Sequence, residues 1–300
     1  MNFEKLIHEP YSYLVDARLG VAAHDAGGAN LIIALLRKYS LTPKKIYAAG
    51  PALQAFEAHY PDAFFSTSQP ADYEFDVMLC GTGWQSTFEK KHMRQALIKG
   101  IRAIAVVDHW VNIHERFHYE GQVIPIHNFL VFDTRTADAL KPIFGNPNIY
   151  LEKNPYIECT VFTIQQFAEM GVLDVDLYDL LVLCEPSRNG NYDEIDALEE
   201  LVWEFGKNFG QKYRLRIRPH PSENPGKYSQ LIAGVSRFAD VSLSEGVSLA
   251  EDIYQSKIVA GFNTIALEIS SLVGKPILSA VPKPFASELT HLKFASIEEL

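Results

Sequence analysis

One rhythm constrains this chain more than any other feature: short, continuously apolar runs alternate with amphipathic helical patterns along nearly its whole length. "GVAAHD" reads as a strand and "GGANLIIALLRKYS" as a helix; "KIYAAG" is followed by "PALQAFEAHY", and "DVMLCGTG" by "TFEKKHMRQALIKG". "RAIAVVDH" and "NFLVFDTR" are further strands, the second leading into "TADALKPIFG". Strands apolar at every position, not every second one, belong to parallel sheets covered by helices on both faces.

Near Asn148 the style shifts: "NIYLEKNPYIE" is a short strand ending in the turn signal Asn154-Pro155, and "TVFTIQQFAEMG" is a helix with a glycine stop. The rhythm then restarts. Strands "YDLLVLCEP", "YRLRIRPHP", "VSLS", "KIVAGF" and "PILSAV" are separated by helices "DEIDALEELVWEFGKNFG", "GKYSQLIAGV", "SLAEDIYQS" and "NTIALEISSLVG". The predicted organisation is two α/β domains, 1–155 and 156–300, joined near residues 153–160. Each is a doubly wound, Rossmann-like sheet, and the two are expected to face a cleft. The closing "FASIEEL" reads as the opening of a helix.

The chain has 300 residues, is 47% hydrophobic and 21% charged, and carries a formal charge of −10. Its size and apolar content suffice for two cores. The acidic balance argues against nucleic acid or an anionic membrane as partner. No apolar run reaches the roughly 18 residues of a membrane span. The opening "MNFEKLIHEPYSYLVDARLG" lacks the basic-then-apolar pattern of a secretory leader. Cys80, Cys159 and Cys184 show no metal spacing, and Cys80 and Cys184 sit in apolar strands as inert thiols. A cytoplasmic location is the expectation.

Ligands of open α/β sheets bind outside the carboxyl ends of the strands, so the residues there matter most. After the first strand stands "HDAGGANL": Gly27 and Gly28 permit a tight turn into a helix, with His24 and Asp25 just before. Asp25 is either a helix cap or, like His24 and the later His109, a candidate general base. There is no G-x-G-x-x-G dinucleotide fingerprint. "GTGWQSTFE" offers Thr82 between two glycines, and Ser86 with Glu89 reads as a capping box. "VVDHWVNIHERF" gathers Asp108, His109, Trp110, Glu115 and Arg116, an ion-pair cluster or an acceptor pocket with Trp110 as a sugar-stacking platform. The spacing of His109 and His114 does not suit a metal pair.

In the second half, "CEPSRNGNYDE" presents Glu185, Ser187 and Arg188. "YRLRIRPHPSEN" ends a strand on Arg218 and then holds His220, Pro221 and Ser222 between and behind two prolines. "GFNTIALEISSLVGKP" sets Asn263 and Thr264 at a helix start, with Glu268, Ser270 and Ser271 beyond. Arg218, Arg188, His220 and the free N–H groups of that helix suit a nucleotide phosphate. Glu268 suits ribose hydroxyls.

These two halves, with "RPHPSEN" and "GFNTIALEISSLVGKPIL", resemble the GT-B class of nucleotide-sugar glycosyltransferases. The resemblance implies a nucleotide-binding second half and metal-independent transfer of a sugar from a CMP- or UDP-linked donor to a glycan or other surface-polysaccharide acceptor. Within the class, the His-Pro pair and the later serines are similar to bacterial enzymes using CMP-activated nonulosonic acids, which implies donor contacts at His220, Pro221, Ser270 and Ser271. That family's base belongs to an acidic pair before a glycine, and "HDAGG" has one acid. The related polyol-phosphate transferases need a second histidine, for which His291 is the only candidate. The related nucleotide-sugar 2-epimerases carry a Gly-Gly before a glutamate where this chain has "FNTIALE". The expected function is glycosyl transfer without metal or other cofactor. An epimerase and a non-catalytic nucleotide-sugar binding protein are the alternatives.

Overall fold

The structure, a computed structural model, describes residues 14, 17–61, 65–66, 73–171, 173–185, 192–209, 212–221 and 223–299. The chain divides into two compact units, Met1–Tyr156 and Ile157–Leu300.

The first unit runs β1 (Leu19–Ala23), α1 (Ala26–Lys38), β2 (Pro43–Ala48), α2 (Pro51–His59), β3 (Phe65–Ser66), β4 (Val77–Cys80), α3 (Phe88–Ile98) and β5 (Arg102–Val107). It continues through α4 (Ile113–Phe117), a small hairpin β6 (His118–Tyr119) and β7 (Gln122–Val123), β8 (Asn128–Val131), α5 (Thr134–Phe144) and β9 (Asn148–Leu151). The main sheet has the order β3-β2-β1-β4-β5-β8-β9, and each neighbouring pair is parallel. Successive strand residues alternate between two cores. Val21, Ala23, Leu79 and Val106 pack on one face, and Ala22, Met78, Cys80 and Val107 on the other. Burial of both faces is why these strands are apolar throughout. Gly20 is glycine for lack of room, since a β-carbon there would sit 2.8 Å from the Phe75 ring.

The second unit holds most of α6 (Pro155–Met170), which starts at the residue after Asn154. The Asn154-Pro155 turn signal is thus a helix start, with the Asn154 side chain accepting from the Tyr156 N–H at 3.0 Å and Pro155 in the first turn, where its missing N–H costs nothing. Then follow β10 (Tyr178–Leu183), α7 (Glu194–Phe209), β11 (Tyr213–Arg218), a 3-10 turn (Pro225–Tyr228), α8 (Ser229–Val235), β12 (Ala239–Leu243), α9 (Leu249–Tyr254), β13 (Ser256–Gly261), α10 (Ile265–Leu272) and β14 (Ile277–Ser279). "FASIEEL" contains a 3-10 turn at Ile297–Glu299. The strand order β12-β11-β10-β13-β14 repeats, in unit numbering, the first five strands of the other sheet: third, second, first, fourth, fifth. This is the doubly wound Rossmann-like order. The order reverses between β1 and β4 in one unit and between β10 and β13 in the other. A crevice opens at the strand ends of each reversal, and polar residues gather there.

Cys80 and Cys184 are buried, which pushes both thiols above their ordinary range. Among the described residues no helix is long and apolar enough to cross a membrane.

Candidate functional site

At the reversal point of the first unit, the end of β1 delivers His24 and Asp25. Asp25 caps α1, its Oδ1 accepting from the Gly28 N–H at 2.7 Å. The glycines around it are required by proximity. A β-carbon on Gly28 would lie 3.3 Å from Gly81 Cα, and one on Gly27 2.8 Å from Asp108 Oδ2. The cap reading of Asp25 holds, and capping occupies only one oxygen: Oδ1 serves the helix, and Oδ2 faces Gly83.

The expected capping box of Ser86 and Glu89 is not what forms. Ser86 Oγ accepts from the Phe88 N–H two residues on, and Thr87 stands at the cap without a side-chain bond. Glu89 instead turns inward from the first turn of α3. It is fully buried, and its Oε1 accepts from the His24 N–H at 2.8 Å. Its Oε2 has no hydrogen-bond partner. In sequence Glu89 reads only as a capping partner, not as a site residue. The signal for it is helical spacing, since it lies on the same buried stripe as Met93 and Ala96.

β5 ends at Asp108, and α4 returns Arg116 to it. The buried Arg116 binds Asp108 Oδ1 at 2.6 Å, the Thr82 carbonyl at 2.7 Å and the Val111 carbonyl at 2.8 Å. Buried Thr82 donates to the Val106 carbonyl at 3.1 Å. Asp25, Gly27, Gly28, Thr82, Asp108 and Arg116 thus converge as the sequence suggested, with Glu89 and Gly83 added. Three carboxylates crowd together, and Arg116 is paired to one of them. Loss of solvent is the largest influence on Asp25, followed by the charges of Asp108 and Glu89. Against the Gly28 N–H and Arg116, these push its carboxyl up to about 7. Burial likewise raises Glu89.

The other sequence-named residues of this unit stand apart. The His24 ring lies against Gly50, whose hypothetical β-carbon would sit 2.8 Å from Nε2. His109 Nδ1 accepts from the Val111 N–H, which assigns the ring proton to Nε2 and removes Nδ1 from base chemistry. Trp110 is stacked on His109 at 3.9 Å between ring centres, and the Arg135 guanidinium lies 4.1 Å from the indole centre. Two planar groups cannot share one face at that separation, so they flank it. The expected sugar platform is a filled stack. Glu115 is exposed on α4.

In the second unit the reversal point joins Glu185, after β10, to Asn263, after β13. Buried Glu185 accepts from the Asn263 N–H at 3.0 Å, and its own N–H donates to Glu194 Oε1 at 2.8 Å. The Asn263 side-chain Oδ1 accepts from Ser287 Oγ at 2.9 Å and the Glu288 N–H at 2.8 Å, and Thr264 caps α10. One N–H of the expected phosphate seat is therefore already met by a carboxylate.

Arg218 is also engaged. Its Nη1 donates to Asp252 Oδ2 at 2.5 Å, Ser244 Oγ at 3.0 Å and the Val247 carbonyl at 2.9 Å. Asp252, fully buried, binds Arg216 Nε at 3.1 Å with its other oxygen. The charge expected for a phosphate is shared with this carboxylate. His220 follows in a loop closed by Glu223, which accepts from the His220 N–H at 3.2 Å; Pro221 is exposed. Tyr228 donates to Glu223 at 2.7 Å, and Lys227 bridges Glu223 and Glu194. Glu268 faces His291 at 3.8 Å. Ser270 is fully buried and donates to the Ala266 carbonyl at 2.7 Å, so it serves the helix and not a ligand; Ser271 is partly buried on α10. Ser187, Arg188 and Ser222 lie outside the described residues. Among the described residues no group of three or more histidine, cysteine, aspartate or glutamate side chains is arranged to hold a metal ion.

No protein-family description matches the chain, and no curated protein matches it. Solved structures do. A UDP-GlcNAc 2-epimerase from Neisseria meningitidis bound to UDP-GlcNAc is 12% identical with a TM-score of 0.63, over 87% of this chain and 82% of that one. The Methanocaldococcus jannaschii UDP-GlcNAc 2-epimerase in complex with UDP-GlcNAc and UDP is 11% identical with a TM-score of 0.60, over 87% and 83%. MnaA from S. aureus with UDP is 12% identical with a TM-score of 0.61, over 88% and 79%. At these identities the likeness shows the fold alone, two Rossmann-like units.

Proposed function

We propose that the protein is a GT-B enzyme acting on a nucleotide-linked sugar, and that it transfers the sugar to an acceptor hydroxyl with Asp25 as general base. The observation that carries this reading is the Asp25 carboxyl itself. It stands at the reversal point of the sheet, and its proton affinity lies near neutrality. A base is most useful when its pKa lies near the working pH. In the reaction, the acceptor O–H gives its proton to Asp25 as the oxygen bonds to the anomeric carbon. The nucleotide leaves with the electrons of the broken C–O bond.

The second unit would hold the donor. The remaining N–H groups of α10, His220 and Arg218 would meet the phosphate, with Asp252 and Glu223 fixing the geometry of the two side-chain-bearing elements. Preorganised donors of this kind replace the metal that other transferases use, and no cofactor is invoked. Glu268, Ser271, Pro221, Ser187, Arg188 and Ser222 would line the donor side; the acceptor would be a glycan.

A second reading is epimerisation, because the Neisseria and Methanocaldococcus structures of like fold are 2-epimerases of UDP-GlcNAc. The same base would then remove a carbon-bound proton from the sugar. Two assays separate the readings and test both. A thermal-shift panel of CMP, CDP, UDP, GDP and their sugar conjugates finds the nucleotide, since a ligand at about 100 times its Kd stabilises by about 2.7 kcal/mol. Turnover of the stabilising conjugate in D2O then decides: acceptor-dependent nucleotide release marks transfer, and deuterium in the recovered nucleotide sugar marks epimerisation. If no nucleotide shifts the melting curve, both readings fall.

A further inference from the structure

Glu89 is expected from sequence only to cap a helix, yet its position is unusual. It is fully buried, it closes on the backbone of His24, and one of its oxygens has no partner. A β-carbon on Gly83 would lie 2.7 Å from Asp25 Oδ2, 3.2 Å from Glu89 Oε1 and 3.5 Å from Glu89 Oε2. The two carboxyl groups therefore flank the same glycine, within the ~4–6 Å over which like charges disfavour joint ionisation.

The positive charges nearby, Arg116 acting on Asp25 and Lys90 beside Glu89, offset this only in part, since burial and the neighbouring carboxylates outweigh them at Asp25 and burial does so at Glu89. Arg116 is committed to Asp108, which is itself a third carboxylate beside Gly27. Lys90, the next residue on α3, donates its Nζ to the Trp84 carbonyl at 3.1 Å. His24 turns its ring to Gly50. Backbone N–H groups of His24, Asp25, Gly83 and Glu89 favour the ionised form of Glu89, yet burial outweighs them and favours the protonated one.

We propose that Asp25 and Glu89 form a proton-sharing carboxyl pair that holds a single proton between them at neutral pH. Glu89 is a positioning residue in this arrangement: it adds to the basicity that burial and Asp108 give Asp25, and keeps the proton beside it. The pair titrates in two macroscopic steps that belong to both groups. Its use in catalysis rests on the reading of Asp25 as base; its titration does not.

The test is a carboxyl 13C NMR titration of the full chain from pH 3 to pH 9, in wild type, Glu89→Gln and Asp25→Asn. Wild type is expected to show both signals moving in two shared steps. Glu89→Gln should leave Asp25 titrating in one step, with proton affinity at least tenfold lower, a fall of one pH unit. Asp25→Asn should do the same to Glu89, and this arm reads the pair even if Glu89→Gln does not fold. An Asp25 curve unchanged by Glu89→Gln, or a Glu89 curve unchanged by Asp25→Asn, overturns the proposal. A shared titration without turnover of any nucleotide sugar overturns the proposed reaction and leaves the pair standing.

Discussion

Asp25 and Glu89 meet across a glycine: the place where Gly83 would carry a β-carbon is 2.7 Å from one carboxylate and 3.2 Å from the other. The backbone of the loop after β4 can pass between the two acids because it has no side chain there. Gly83→Ala must push one of them aside. Overpacking of this kind costs about 1–3 kcal/mol. The expected outcome is a melting temperature lower by several degrees and loss of turnover. Gly121→Ala, at a position with nothing within 4 Å but a positive φ, controls for backbone strain alone, with full turnover retained.

Burial and like charge hold the Asp25 carboxyl above its ordinary value, so the folded chain keeps a proton that the unfolded chain has already released. The associated stability is complete below about pH 4, the unfolded value, and falls as pH rises towards about 7. Asp25→Asn keeps the capping oxygen and cannot ionise. It should therefore be more stable than wild type at pH 8, by about 1–3 kcal/mol given that the side chain retains some contact with water. That gain should shrink towards zero at pH 4. Thermal unfolding across this range measures it; an equal gain at both pH values would mean that the charge is not the cause.

Asp252 is fully buried between Arg216 and Arg218. Removing one partner of such a set leaves charge uncompensated, at a cost of about 3–5 kcal/mol. Asp252→Ala is expected to lose that much in urea unfolding, and Asp252→Glu to recover only part, because the longer side chain cannot keep both contacts. A loss below 1 kcal/mol would place the network with exposed ion pairs.

His220 is held by its own backbone, through Glu223, with Tyr228 and Lys227 behind. His220→Ala should lower turnover about 100-fold, the usual effect of losing one transition-state donor. Its melting temperature should change little, since the backbone N–H that Glu223 accepts from is kept in the variant. Full activity in that variant would remove His220 from the donor site.

The strands were legible in sequence because burial on both faces makes "DVMLC" and "YDLLVLC" apolar at every position, and the parallel, doubly wound organisation followed from βα repetition, though the strand order did not. The site was legible only where it lies at a strand end. Asp25, Thr82 and Asp108 follow β1, β4 and β5 directly, whereas Glu89 comes from the next helix and imitates a cap three residues after Ser86. Asp252 looked like an ordinary helix acid in "SLAEDIYQS". The clue to it was in β11, where Arg214, Arg216 and Arg218 alternate with Leu215 and Ile217 and so require counter-charge on one face. The use of Asn263 by Ser287 and Glu288 spans 24 and 25 residues, and no local pattern announces it. Trp110 shows the opposite error: an aromatic amid charges suggested an open platform, but Arg135, 25 residues on, fills it. The second acid that "HDAGG" lacks is supplied by folding, from α3 and from the end of β5.

The most direct measurement is nucleotide release from the nucleotide sugar that best stabilises the protein, compared between wild type and Asp25→Asn. Loss of a general base costs about 100- to 10,000-fold, so release should fall at least 100-fold while the thermal shift given by the nucleotide alone persists. Equal rates in the two proteins would contradict the assignment of Asp25 and, with it, the account of how this fold is used.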